Sequence, residues 1–404
     1  MTDDRRRHLQ DLAGTLWPAH TAVLGRERAA GAREVDELLV LPSRRHPRLV
    51  VPTRGRAAAS VVRHSGEGRH ARARLTAAAL ALGLRGGLTH LWRDRLRVSA
   101  APGTGPTLRT HLSAVLGREL LLGLHLGPPR ANRKPVVQLV DPSGRTFAFA
   151  KVAVDDLTDA LVRDEADALR RLAGAVPGPV EVPELLHAGA WLGRALLVQS
   201  ALPVWLPRRE ATPARITAVV AAIGGLDRRD GVALTASPHW TGLRDRVARL
   251  PGSAAAAHLR ELVDRFTAAV PGARVSTGAS HGDLTPWNLA VLEDRVLVWD
   301  WERFRTGVPL GTDLLHHALQ GHLVARLGPP RESADRVLAG AADRLAPLGV
   351  PPRVAAVTAV AYGLDLATRY LADRQHEAGA RLGDVDDWLL PALGQRLGHL
   401  EEER

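Results

Sequence analysis

The sequence predicts an α+β fold in two lobes, an antiparallel sheet followed by a helical half. Three observations carry this. Apolar residues alternate in short runs between Leu120 and Val198, they recur at helical spacing beyond Pro203, and 404 residues exceed one average domain.

The elements follow in order. Residues 1–118 mix helical patterns (Arg5 to Leu24, Arg56 to Arg63, Ala71 to Leu82) with strand candidates at Leu38–Leu41, Leu49–Val51 and Leu96–Val98. No chemical motif appears there, and Ala101–Pro106 reads as a linker on its Pro and Gly content. Residues 119–203 read as a five-stranded antiparallel lobe: a meander of Leu120–Leu126, Val136–Val140 and Thr146–Val154, a helix from Asp156 to Leu172, then Leu185–Ala188 and Ala195–Val198. Residues 204–404 read as a helical lobe, with helices near 213–225, 253–270, 312–326, 332–345, 352–374 and 386–399 and an irregular segment between Ser276 and Trp301.

Composition narrows the chemistry. The absence of cysteine removes disulfides, thiolate metal sites and thiol nucleophiles. No apolar run approaches the ~20 residues of a membrane span, and the start lacks a secretion signal, so a cytoplasmic location without membrane contact is expected. The net charge of +11 is spread along the chain, which disfavours nucleic acid as a partner. Of 54 basic residues only Lys134 and Lys151 are lysines, so a site that keeps lysine asks for a compact point charge.

The densest chemistry lies in His281-Gly282-Asp283-Leu284-Thr285-Pro286-Trp287-Asn288 and Val296-Leu297-Val298-Trp299-Asp300-Trp301-Glu302. Gly282 and Pro286 make the first part a loop, on which Asp283 and Asn288 can converge. Asn288–Leu292 and Val296–Asp300 then read as a hairpin around Glu293-Asp294-Arg295. A symmetric register sets Asn288 opposite Asp300, roughly 4.5–5.5 Å apart. A carboxylate and an amide oxygen at that spacing suit magnesium, which keeps several ligands as water or phosphate. A buried strand end also obliges Asp300 to find a partner, of which a metal is one candidate.

Upstream, Phe147-Ala148-Phe149-Ala150-Lys151-Val152 places Lys151 on the strand face of Phe147 and Phe149. Glu165 falls on the apolar stripe of the next helix, between Leu161 and Leu169, and points inward. An inward carboxylate needs a salt bridge, and Lys151 is the nearest lysine.

These pieces resemble the protein-kinase-like fold, and within it the aminoglycoside phosphotransferase-like family of small-molecule kinases. The resemblance covers residues 119–404, with 1–118 an extension similar in position to a cap. The family implies ATP or GTP and Mg2+ as cofactors and a hydroxyl on a small molecule (an aminoglycoside, sugar, amino alcohol or similar) as acceptor. Lys151 would hold the nucleotide phosphates and Glu165 would hold Lys151. Asn288 and Asp300 would bind magnesium, and Asp283 would face the acceptor hydroxyl. His281 would brace the loop, Asp313 would anchor it, and Gln199, Ser200 and Ala201 would form the hinge against the base. The phosphate-covering turn 127–134 has a single glycine, and Arg133 and Lys134 would substitute as side-chain donors.

Other readings compete. A Ser/Thr protein kinase is disfavoured by the absence of a lysine two residues after Asp283. A nucleotide-binding scaffold without catalysis would keep the same residues. Gly278-Ala279-Ser280-His281-Gly282 fits the nucleophile elbow of serine hydrolases, but Pro286 interrupts the helix this requires. His316, His317 and His322 read better as core-capping or solvated histidines than as a metal cluster. Asp365, Asp373, Asp384, Asp387 and Glu302 are acidic residues that a cationic acceptor would use.

Overall fold

The computed structural model describes residues 2–25, 33–66, 71–126, 134–176, 178–373 and 383–403. The contacts of these residues form two compact units, one of those up to 126 with 134–166 and 183–206, the other of those in 167–182 and from 207 onward.

The first unit is built on one antiparallel sheet whose strand order is Thr21–Leu24, Arg95–Ala100, Arg33–Leu41, Leu49–Pro52, Leu121–His125, Val136–Val140, Thr146–Val152, Arg194–Ser200, Leu185–Trp191. The five expected strands are consecutive in it, but the sheet has nine strands among the described residues. The join is the pairing of Leu49 with His125 and of Val50 with Leu124. An uncovered Leu121–His125 edge would leave a row of backbone donors and acceptors open, and the first 118 residues supply four strands to continue the ladder.

Apolar runs are needed because this sheet is covered on both faces. Leu38, Leu39, Val40 and Leu41 are all buried, as a strand packed on two sides requires. Leu9, Leu16, Leu108 and Leu112 cover one face, and Ala57, Ala58, Val61 and Val62 of helix Gly55–Gly66 cover part of the other. Gly123 is required beneath that helix: a Cβ there would lie 2.5 Å from Val61 Cγ2. The helix expected to run from Arg5 to Leu24 ends at Leu16, and Thr21–Leu24 is a strand. Pro18 is the reason, since proline disfavours helical geometry in the residue before it.

The second unit holds helices Pro213–Gly224, Pro238–Ala248, Ala254–Ala269, Thr312–Ala325, Pro330–Ala339, Ala341–Leu345, Pro352–Ala372 and Val385–Glu402. Helix Pro238–Ala248 escaped the sequence reading although it carries ordinary start signals: Pro238 in its first turn, and a Ser237 Oγ that accepts from Trp240 N–H at 3.2 Å. No single described helix is long and apolar enough to cross a membrane.

Two small sheets position the site residues. Arg274–Ser280 lies between Arg229–Ala233 and Arg305–Pro309, while the hairpin Leu289–Val291/Val296–Val298 adds Val180–Glu181 in parallel. Strand Arg274–Ser280 meets helix Pro213–Gly224 at two glycines, where a Cβ on Gly278 would lie 1.9 Å from Gly224 O. Neither backbone can give way. Gly278→Ala is therefore expected to lower stability by about 1–3 kcal/mol, the usual cost of overpacking. Urea unfolding should show a lower midpoint at unchanged slope, and an unchanged midpoint would show that strand and helix can separate freely.

Candidate active site

The loop after strand Arg274–Ser280 is shaped by one buried carboxylate. Asp313, in the first turn of helix Thr312–Ala325, is 3% exposed. It accepts from Ser280 Oγ–H at 2.9 Å, from His281 N–H at 2.8 Å and from Gly282 N–H at 3.0 Å. A carboxylate buried without such donors would cost several kcal/mol. Gly282 turns the chain with φ of +77°, and a Cβ at this position would lie 2.2 Å from Arg303 O, so only glycine fits.

His281 is fully buried and both ring nitrogens are engaged. Nδ1 accepts from Asp283 N–H at 3.2 Å, so the proton belongs on Nε2, which donates to Trp299 O at 3.0 Å. The ring also packs on Trp301, with centroids 4.5 Å apart. Asn288, 3% exposed, donates through Nδ2 to Asp283 O at 2.9 Å and Oδ2 at 3.2 Å. With its nitrogen committed to Asp283, the amide turns its oxygen the other way.

Asp283 is held by residues that the sequence reading did not assign to it. His316 Nε2 lies 3.0 Å from Asp283 Oδ1, and His316 Nδ1 lies 3.1 Å from Tyr362 Oη. Burial raises the Tyr362 pKa well above its ordinary value, so the phenol stays protonated and donates to Nδ1, leaving the Nε2 proton for Asp283. Burial likewise lowers the His316 pKa, which keeps the ring neutral. Arg369 donates to Gly282 O at 2.6 Å and approaches Asp283 Oδ1 at 3.5 Å. Burial alone would raise the Asp283 pKa, but the His316 hydrogen bond and the Arg369 charge outweigh it and hold the carboxyl well below its usual range. His316 stands three residues after Asp313, a spacing legible in the sequence. Arg369 was hidden among the many arginines. His317 Nδ1 meets Leu284 O at 3.3 Å, so His316 and His317 brace the loop by separate contacts.

The hairpin differs from the sequence reading by one residue. Its turn is the two-residue Glu293-Asp294, closed by Leu292 N–H to Arg295 O at 2.8 Å. Leu289 pairs with Val298, so Asn288 stands opposite Trp299, and Asp300 lies one position beyond the expected partner. Asp300 then leaves the strand with φ of +72°. Its carboxylate comes close to that of Glu302, with one oxygen of each within 4.8 Å of the other. Two carboxylates this close repel unless a cation or proton is shared, and the donors are all oxygen. This set suits magnesium.

In the first unit, Lys151 and Glu165 meet as the patterning predicts. Lys151 Nζ lies 2.6 Å from both Glu165 oxygens, and the two side chains are 6% and 0% exposed. The register sets Lys151 between Val136 and Leu197, and Phe149 between Gln138 and Gln199. Gln199 is buried, Ser200 Oγ accepts from Glu184 N–H at 2.8 Å, and Ala201 N–H donates to Phe147 O at 2.9 Å, so that donor is already in use within the strand end. Arg133 lies outside the described residues; Lys134 is half-buried beside strand Val136–Val140. Ser280 is 4% exposed, and its hydroxyl donates to Asp313 while accepting from Gly282 N–H at 3.1 Å. This is a brace rather than a nucleophile, and its loss would cost stability.

The depressed Asp283 pKa contributes stability above the carboxyl's unfolded value of about 3.9, and that contribution is lost as pH falls through the folded value. His316→Ala should raise the Asp283 pKa toward the ordinary range and move acid unfolding to higher pH. Carbon NMR titration of the Asp283 carboxyl is the direct measurement; an unmoved value would mean that Arg369 alone sets it.

The model of the phosphotransferase enzyme family matches residues 128–319. No curated protein matches the chain. Among solved structures, a thermostable aminoglycoside phosphotransferase in its apo form is 14% identical, covering 73% of this chain and 99% of its own at a TM-score of 0.43. A choline/ethanolamine kinase family protein from Mesorhizobium loti is 13% identical over 68% of this chain and 93% of its own, with a TM-score of 0.38. An amicoumacin kinase bound to AMP-PNP, Ca2+ and its ligand is 12% identical over 67% and 86%, with a TM-score of 0.38. The family match takes in the loop of Asp283 and Asn288, and over residues 128–319 the chain is similar to the phosphotransferase enzyme family.

Proposed function

We propose that the protein transfers the γ-phosphoryl group of magnesium-ATP to a hydroxyl of a small molecule. The observation that carries this reading is the fixed pair Asp283 and Asn288: one carboxylate with an exposed edge, locked to an amide whose oxygen points away. Asp300 with Glu302, joined by the Asn288 oxygen, would supply hard ligands for magnesium. The buried Lys151–Glu165 pair supplies an oriented ammonium for phosphate oxygens. When bound, magnesium-ATP supplies the phosphoryl group and neutralises charge between its phosphates.

Asp283 would accept a hydrogen bond from the acceptor hydroxyl and aim its oxygen. The new acceptor O–P bond forms as the bond from the γ-phosphorus to its bridging oxygen breaks, and ADP leaves with the electron pair. The hydroxyl proton passes to Asp283 and then to solvent. A carboxyl held below its usual pKa is a weak base, so its main contribution is orientation, with the proton moving late. Lys134 would serve as a phosphate-side donor, and Gln199 and Ser200 would face the base edge, since the Ala201 N–H is taken by Phe147 O.

A protein kinase and an inactive nucleotide scaffold remain as readings to be tested against this one. Asp283→Ala should bind ATP with affinity near wild type yet lose about 10²–10⁴-fold in turnover. Measuring ADP release with a panel of hydroxylated metabolites and antibiotics checks this. Equal turnover by wild type and variant, or transfer to a protein substrate alone, would sink the proposal.

A further inference from the structure

Asp283 lies among arginine–aspartate ion pairs. Asp365 is bound by Arg246 at 2.5 Å and by Arg305 at 2.5 Å and 3.2 Å. Asp373 is bound by Arg303. Arg303 and Arg369 both lie close enough to Asp283 for their charges to act on it, Arg303 acts on Arg305, and Arg369 acts on Asp365. The result is one continuous network in the second unit.

In the three arginine pairs of this network that lie outside the loop, the carboxylate is the deeper partner. Asp365 is 11% exposed against 38% for Arg246 and 32% for Arg305, and Asp373 is 5% against 20% for Arg303. Solvent therefore meets guanidinium edges rather than carboxylates. Asp283 is the exception, at 31% against 12% for Arg369. Asp313 lies beneath the loop and is satisfied by three donors. His239 beside Asp365 adds no charge near neutrality, because burial lowers its pKa to about 4. Within this network four arginines meet Asp283, Asp365 and Asp373, with Asp313 behind, so there is no excess of negative charge.

Resting on the phosphotransferase reading, we propose that the acceptor is a hydroxyl compound without ammonium groups, uncharged or anionic, and that Arg246, Arg303 and Arg305 set this preference. A site for polycations would present several solvent-facing carboxylates. Here Asp365 and Asp373 are already neutralised by arginines whose outer edges would repel an ammonium and accept a carboxylate or a neutral oxygen.

Two matched sets separate charge from shape: glucose, glucosamine and glucuronate, and ethylene glycol, ethanolamine and glycolate. Binding to the full-length protein with AMP-PNP and magnesium is measured by calorimetry at pH 7, and ADP release with ATP is measured alongside. The ammonium member of a set should bind about tenfold or more weaker than its neutral and anionic relatives, a difference worth ~1.4 kcal/mol. Arg246→Gln leaves Asp365 bound to Arg305 and should narrow that gap; if this variant does not fold, the salt dependence of the wild-type preference replaces it, since screening should also narrow the gap. Equal or tighter binding of the ammonium member, or no difference within either set, overturns the inference. Loss of nucleotide binding and of all ADP release would instead refute the phosphotransferase reading, because the charge preference is read from binding without turnover.

Discussion

The placement of the reactive loop depends on the Asp313 carboxylate and the three donors it accepts. Ser280, His281 and Gly282 would otherwise leave polar groups unpaired inside an apolar surrounding, so the loop has one low-energy course. Asp313 sits in the first turn of its helix, where the backbone dipole favours a negative charge. Gly282 then turns with positive φ against Arg303, and the next residue, Asp283, has its N–H taken by His281. Each contact removes one alternative position for the Asp283 side chain. A hydroxyl held within hydrogen-bond reach of a carboxylate so fixed loses little further entropy on reaction.

Polarity runs in one direction from Tyr362 through His316 to Asp283. Because the imidazole is neutral, it supplies a hydrogen bond without a full positive charge, and Arg369 supplies the charge at the same oxygen, Oδ1. The division has a consequence for acid–base behaviour. Neither partner can hand Asp283 a proton near neutral pH, so the carboxylate stays ionised through the approach of the acceptor. What it loses as a base it retains as a fixed acceptor.

Much of this was legible in the sequence. Strand alternation and helix spacing alone placed Lys151 and Glu165 on facing surfaces, and the structure joins them. Glycine and proline marked the loop. The hairpin register was one residue out because the turn holds two residues where three were read, and spacing does not distinguish a two-residue from a three-residue turn when all candidates are charged. The extension of the sheet to nine strands was hidden for another reason: pairing of Leu49 with His125 spans a long loop closure, which no local pattern reports. Arg369 was invisible because arginine serves every generic positive charge in this chain.

That same bias explains why lysine survives at position 151. A guanidinium carries five donors in a plane and needs acceptors for them, which the half-exposed Arg246 and Arg305 find around Asp365 and in water. Beside Glu165, where both side chains are almost completely buried, a fork would leave donors unsatisfied. One ammonium meets both carboxylate oxygens at 2.6 Å and keeps its remaining proton directions for other acceptors. Net basicity and site chemistry are thus separate matters in this protein. The arginines neutralise and cover carboxylates, while the lysine stays where a small, directed charge is required.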